Sequence, residues 1–228
     1  MRLSGLLALI LSAAWLQAAE TAKERLTAAA DVFSEIMGTP DKGIPQDLFE
    51  KAQCVVIVPG MKKGAFVVGG EYGKGFVECR RASGSGWSAP GAVRIEGGSF
   101  GFQIGGSSTD VVMLVMNKGG ENKLMNSKFT LGADAAVAAG PVGREANAKT
   151  DAYMSAEILA WSRSKGLFAG ISLSGATLRN DLDANEELYG SKVTNKDVLA
   201  SNREAPAEAQ KLNSELNRFS TRSREKEK

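Results

Sequence analysis

The chain has 228 residues, 43% of them hydrophobic, which is enough for one domain with a sizeable core or one domain with short appendages. A charged fraction of 24% and a formal net charge of +2 give no bulk drive toward nucleic acid, whose binders carry a strongly basic domain or stripe. Histidine is absent, which excludes histidine-based triads, histidine-bearing zinc sites and imidazole proton shuttles.

Arg2 followed by the uncharged apolar run Leu3 to Trp15 and the small-residue exit Gln17-Ala18-Ala19 reads as an export signal. The run is short for a membrane span, and a retained N-terminal anchor is the alternative to cleavage after Ala18 or Ala19. Residues 1–19 are therefore set apart, with 20–200 as the domain and 201–228 as a C-terminal helix and charged tail. Export would place Cys54 and Cys79 in an oxidising compartment, periplasmic or extracellular, where they either bridge or remain as two buried thiols in strand-like runs. No cofactor or metal is expected.

Along the mature chain, Leu26, Ala29, Ala30, Phe33, Ile36 and Met37 recur at helical spacing, and Gly38-Thr39-Pro40 stops that helix. A short helix begins near Pro45 and carries Leu48 and Phe49. The β-branched run Cys54 to Val58 is closed by Pro59-Gly60. Ala65–Val68 and Gly75–Cys79 then flank a turn-rich Glu71-Tyr72-Gly73-Lys74. Further strands are expected at Ala92–Glu96, Ser99–Ile104, Val111–Met116 and within Phe129–Ala139, with a hairpin at Glu157–Ser164 and Leu167–Leu173 turning at Lys165-Gly166. A helix follows near Asp183–Tyr189, then a capped turn at Thr194–Asp197, and a last helix from Pro206 with Leu212, Leu216 and Phe219 on one side. Glycines recur inside the strand runs, the mark of bends, bulges and close backbone approach. The fold class is α+β: a single domain with a strongly curved, glycine-rich antiparallel sheet or barrel-like core and flanking helices.

Three motifs are weak. Gly97-Gly98-Ser99-Phe100-Gly101 matches the G-x-S-x-G pattern of a nucleophile elbow, but no histidine is present as a base and the next residues read as strand. Asp181 to Asn185 mimics a calcium loop, but Glu186 and Lys192 stand where glycine and glutamate are needed, so a solvated helix start explains it better. Gly73-Lys74 lacks the flanking residues of a phosphate-binding loop. The chain reads as a non-enzymatic binder. Lys62 and Lys63 are expected on one turn, Lys74 on the next and Arg80-Arg81 at a strand end. They form either ordinary solvated surface or a cationic surface for anionic lipid headgroups, each charge contributing on the order of 1 kcal/mol near a membrane. Trp87, in a loop, is either an interfacial anchor or a plug for the sheet end.

The ordered set Ile44-Pro45, Gly69 to Gly75, Trp87-Ser88-Ala89-Pro90, Gln103-Ile104-Gly105-Gly106, Leu131 to Asp134, Gly140 to Arg144, Ser162 to Gly170, and Asn185 with Tyr189-Gly190 resembles the signatures of the SYLF-domain family, also called the Ysc84-type actin-binding domain. The resemblance covers roughly residues 24–200. It implies binding of phosphoinositides or other anionic lipids, actin-filament binding in some fungal members, and membrane contact by the N-terminal amphipathic helix, here Ala22–Met37. The export signal is similar to a bacterial branch of the family and implies envelope lipid association, with no nucleic-acid partner. The alternative is an envelope structural or interaction protein that uses the same surface for a protein partner.

Overall fold

Thr21 accepts a hydrogen bond from the Glu24 amide while the Glu24 carboxylate accepts from the Thr21 amide, a capping box that starts α1 (Ala22–Met37). Its stripe Leu26, Ala29, Ala30, Phe33 and Ile36 is buried, as a helix laid on a sheet requires. A second helix, α2 (Gln46–Lys51), adds Leu48 and Phe49 to the same core. The structure, a computed structural model, describes residues 20–39, 43–66, 68–84, 86–99, 105–143, 153 and 155–220. The proposed signal segment 1–19 and residues 100–104 of the strand expected over Ser99–Ile104 lie outside them, while Ser99 ends β3.

Nine strands follow: β1 (Cys54–Phe66), β2 (Val68–Cys79), β3 (Gly91–Ser99), β4 (Gly105–Val115), β5 (Lys128–Thr130), β6 (Val137–Ala139), β7 (Ile158–Ser164), β8 (Leu167–Gly170) and β9 (Thr177–Asn180). They form one sheet in the order β5-β9-β3-β2-β1-β4-β7-β6, with β8 also on β7. Every pairing is antiparallel except β6 with β7. The sheet is strongly curled into a half-barrel, so the α+β single-domain architecture expected from the sequence is the one observed. Further helices are α3 (Lys118–Leu124), α4 (Leu182–Tyr189), α5 (Asn195–Leu199) and α6 (Gln210–Phe219), the last entered through a 3-10 turn at Ala207–Ala209.

The central strand β1 is buried on both faces over Cys54–Val58. Val55 and Ile57 face the helix side with Phe76, Ala92, Val112, Leu114 and Trp161, beneath α1, α2 and α6. Cys54, Val56 and Val58 face the far side with Val77, Val93, Ile95, Met113 and Leu178. Period-two alternation thus builds two apolar layers, one on each face of the same sheet. A disulfide joins Cys54 and Cys79, which sit directly opposite each other at the start of β1 and the end of β2.

Two turns expected from the sequence are strand. Pro59-Gly60 does not close β1 but bulges it: the register shifts between Ile57 and Lys62. Gly60 takes a left-handed φ of 57°, and its amide donates 2.8 Å to the Asp110 carboxylate instead of the ladder. Lys62 and Lys63 therefore lie within β1. Likewise Glu71 to Lys74 is continuous β2, because its glycines serve close packing. A side chain at Gly75 would strike the Ile57 carbonyl, and one at Gly73 would reach Val58 Cγ1 at 2.6 Å. The segment Phe129–Ala139, within which one strand was expected, holds parts of two, β5 and β6, on either side of Gly132 (φ 82°). The hairpin at Lys165-Gly166 forms with both residues at positive φ. The sequence pattern assigns no element to residues 117–124 or 177–180. They form α3, capped by the Asn117 side chain, and β9.

Candidate functional site: a cationic sheet face

Antiparallel pairing places residues of adjacent strands side by side on one face. Lys74 of β2 pairs with Arg94 of β3, Arg94 with Arg179 of β9, and Arg179 with Lys128 of β5. Four cations thus stand in one transverse row on four neighbouring strands, spanning roughly 14 Å at about 4.8 Å per strand. They lie on the helix-side face, since the intervening Ile95, Leu178 and Phe129 point into the far-side core. Beyond Lys74, Tyr72 shares this face and pairs with Lys62 of β1, so Lys62 extends the row by a further cation.

Like charges set directly opposite repel, so the row must be offset by carboxylates. Glu96 forms an ion pair with Arg94 at 2.9 Å and accepts from Arg179 at 3.1 Å. Asp181, buried at the N-cap of α4, pairs with Lys74 at 2.9 Å and accepts from the Ala184 amide. Asp181 and Asn185 are both buried, so this segment is not the solvated helix start that the calcium-like spacing suggested. Its side chains hold the β3 edge: Asn185 accepts from the Ala92 amide and donates to the Val193 carbonyl, both at 2.8 Å. Two carboxylates, Glu96 and Asp181, thus pair with members of this five-cation row, and Asp110 of β4, itself paired with Arg163, stands on the same face. At the rim, Asp183 is matched by Lys192 at 3.6 Å. A shallow hollow of about 350 Å³ lies beside Arg94 and Arg179, edged by Leu182. Leu182 is 39% exposed and Tyr72 44%, two of the four large apolar side chains left exposed among the described residues.

The basic residues singled out in the sequence do not form one patch. Lys62 and Lys74 belong to the sheet face. Lys63 points to the opposite face, where it pairs with Glu71 at 3.1 Å. Arg80 and Arg81 lie at the far end of β2, six and seven residues beyond Lys74, or roughly 20 Å along the strand. Arg80 is largely buried: its guanidinium donates to the carbonyls of Ala52 and Phe49 and to Ser220 Oγ, and covers the Trp87 ring at 4.5 Å. Arg81 donates to the Trp87 carbonyl. Trp87 is 1% exposed and stacked on Phe49, so it plugs the sheet end and offers no interfacial anchor. Arg94, Arg179 and Lys128 were missed, because their alignment is created by long-range register. Ser99 is the last residue of β3, its backbone paired with Gly69.

Beneath the helices lies one buried carboxyl. Glu78, on the helix face of β2, accepts from the Asn213 side chain of α6, and its other oxygen has no hydrogen-bond partner among the described residues. Burial holds its carboxyl well above the usual range, partly opposed by the Arg81 charge. The nearby Tyr189 hydroxyl, which donates to the Pro90 carbonyl at 2.5 Å, is also raised, chiefly by burial.

Many signature residues are interior. Ser88, Ala89, Gly140, Leu131 and Asn185 are buried, and a side chain at Gly140 would overlap the Trp161 ring. Residues 96–219 match the family model described as Ysc84, Las17-binding protein actin regulator. The chain is 37% identical over 177 residues to an SH3 domain-containing protein of Schizosaccharomyces pombe, covering 76% of this chain and 41% of that one. It is 35% identical over 190 residues to the rat SH3 domain-containing YSC84-like protein 1, with 82% and 55% covered. To LAS seventeen-binding protein 3 of Saccharomyces cerevisiae it is 33% identical over 184 residues, with 79% and 40% covered. The chain spans about half the length of these curated relatives. The family model and the Saccharomyces relative are named for binding and regulation, and on both the family model and the relatives, this chain belongs to the Ysc84, or SYLF-domain, family.

Proposed function

We propose that this protein is a non-enzymatic module that binds anionic membrane surfaces through the cationic sheet face, and that residues 1–19 export it to the cell envelope. The observation that carries this reading is the register-aligned row Lys74, Arg94, Arg179, Lys128, extended by Lys62 and only partly offset by Glu96 and Asp181. A broad face suits a planar array of headgroups. Tyr72 and Leu182, half-exposed beside it, supply apolar contact at the interface. Each cation near an anionic surface contributes on the order of 1 kcal/mol, so reversing two of them lowers binding well over tenfold.

The test is co-sedimentation with neutral phosphatidylcholine vesicles and with vesicles containing phosphatidylserine, across a salt series. Wild type binds the anionic vesicles and is released by salt. Arg179→Glu with Lys128→Glu loses that binding, while Lys63→Gln, on the opposite face, keeps it. Equal binding to both vesicle types would reject the reading. A second reading, an acidic protein partner on the same face, is favoured by the relatives named as Las17-binding and actin-regulating. It predicts binding that ignores vesicle composition.

A further inference from the structure

At the opposite end of β2, residues 80–84 with Ser88, α3 and α5 enclose a cleft of about 550 Å³, within the range of small-molecule sites. Its walls bring together cations from three separate elements: Arg80 and Arg81 after β2, Lys118 at the start of α3, and Lys196 in α5. Glu121 is the one carboxylate among the lining residues, and Lys118 already pairs with it at 2.6 Å. Arg80 is committed to backbone carbonyls and Ser220, so it contributes field rather than contact. Arg81 fixes its Nε on the Trp87 carbonyl, which sets the plane of its guanidinium and leaves the terminal nitrogens as a two-pronged donor. Lys196 is exposed on the other wall. Gln53, Asn122 and Asn202 add neutral amides, and Met125 with Leu199 gives an apolar floor.

We infer that this cleft is a second site, separate from the sheet face, for a phosphate monoester carried on a small organic group. The dianionic phosphate meets the Arg81 fork and the two lysines, and the organic part meets Met125 and Leu199. A guanidinium with converging ammonium groups matches phosphate oxygens, whereas a single carboxylate would leave part of the positive charge unmatched. The phosphate has two possible carriers, a soluble metabolite or a lipid headgroup.

Glycerol 1-phosphate is the soluble probe, followed by amide chemical shifts of Arg81, Gly84, Asn122, Lys196 and Asn202. Saturable shifts confined to these segments are expected. Lys118→Glu with Lys196→Glu, both solvent-facing and verified as folded by thermal melting, weakens binding at least tenfold. Arg179→Glu with Lys128→Glu leaves it unchanged, which separates this site from the sheet face. Shifts that never saturate, or undiminished affinity in the cleft variant, overturn the inference. Vesicles containing phosphatidic acid form the second arm. Extra sedimentation over phosphatidylserine vesicles, lost only in the cleft variant, assigns the phosphate to a lipid. No such gain, with glycerol phosphate still bound, assigns it to a soluble ligand.

Discussion

Glu78 shows how one residue ties the sheet to the C-terminal helix. In the unfolded chain its carboxyl loses its proton near 4.5, whereas in the fold burial keeps the proton to higher pH. Between those points the folded state binds the extra proton, so stability falls as pH rises. Glu78→Gln keeps the hydrogen-bonding shape opposite Asn213 and cannot ionise. Thermal melts across pH should show the variant more stable than wild type at mildly alkaline pH, with the gap closing toward acidic pH. Cys54 and Cys79 act through the unfolded chain instead. Their separation of 25 residues implies that the bond stabilises by about 3 kcal/mol through lost loop entropy. Cys54→Ala with Cys79→Ala, compared with oxidised and reduced wild type in urea, should match the reduced protein. Two free thiols found by mass spectrometry in protein isolated without reductant would show that the bridge is not made.

Among the elements, the bulge in β1 explains most of what the sequence did not disclose. Pro59-Gly60 and Gly73 to Gly75 carry the residue types of turns, so a local reading ends two strands early. The bulge and the close approach it forces place those same residues inside β1 and β2. Asp110 on β4 is the remote residue that makes this arrangement affordable, because it accepts from the Gly60 amide and pairs with Arg163 at 2.7 Å. Asp110→Ala should destabilise the fold by about 2 kcal/mol in urea denaturation, the typical loss for a hydrogen bond to a charged group. Strongly periodic elements were legible: the α1 stripe, the Lys165-Gly166 hairpin and the Thr194–Asp197 capping box all follow from local pattern. Of the site, Lys62 and Lys74 could be named. Their partners Arg94, Arg179 and Lys128 could not, since a row across four strands exists only once non-consecutive strands pair. The alternation Arg94-x-Glu96 in β3 was the one local hint of a charged outer face.

For the whole molecule, a net charge of +2 conceals a polarised distribution. Among the described residues, positive charge gathers on one sheet face and in one cleft roughly 20 Å away along β2, while ion pairs such as Lys211 with Asp31 match charge elsewhere. Exposed charges are screened within about 8 Å at physiological salt, so binding by the sheet face should weaken steadily as salt rises. The apolar share from Tyr72 and Leu182 is not screened. Tyr72→Ala with Leu182→Ala should lower the salt-resistant fraction in co-sedimentation while leaving the salt-sensitive slope in place. Adsorption to a surface also crowds molecules into two dimensions, where long open strand edges would invite polymerisation. Here the terminal strands of the sheet path, β5 and β6, are three residues each, and β8, of four residues, covers the rest of β7's outer side. Such short ladders give an incoming chain little to template on. On the proposed membrane surface, the outer side of Gly105–Thr109 in β4, which β7 does not pair, is therefore a stretch among the described residues where such templating could start.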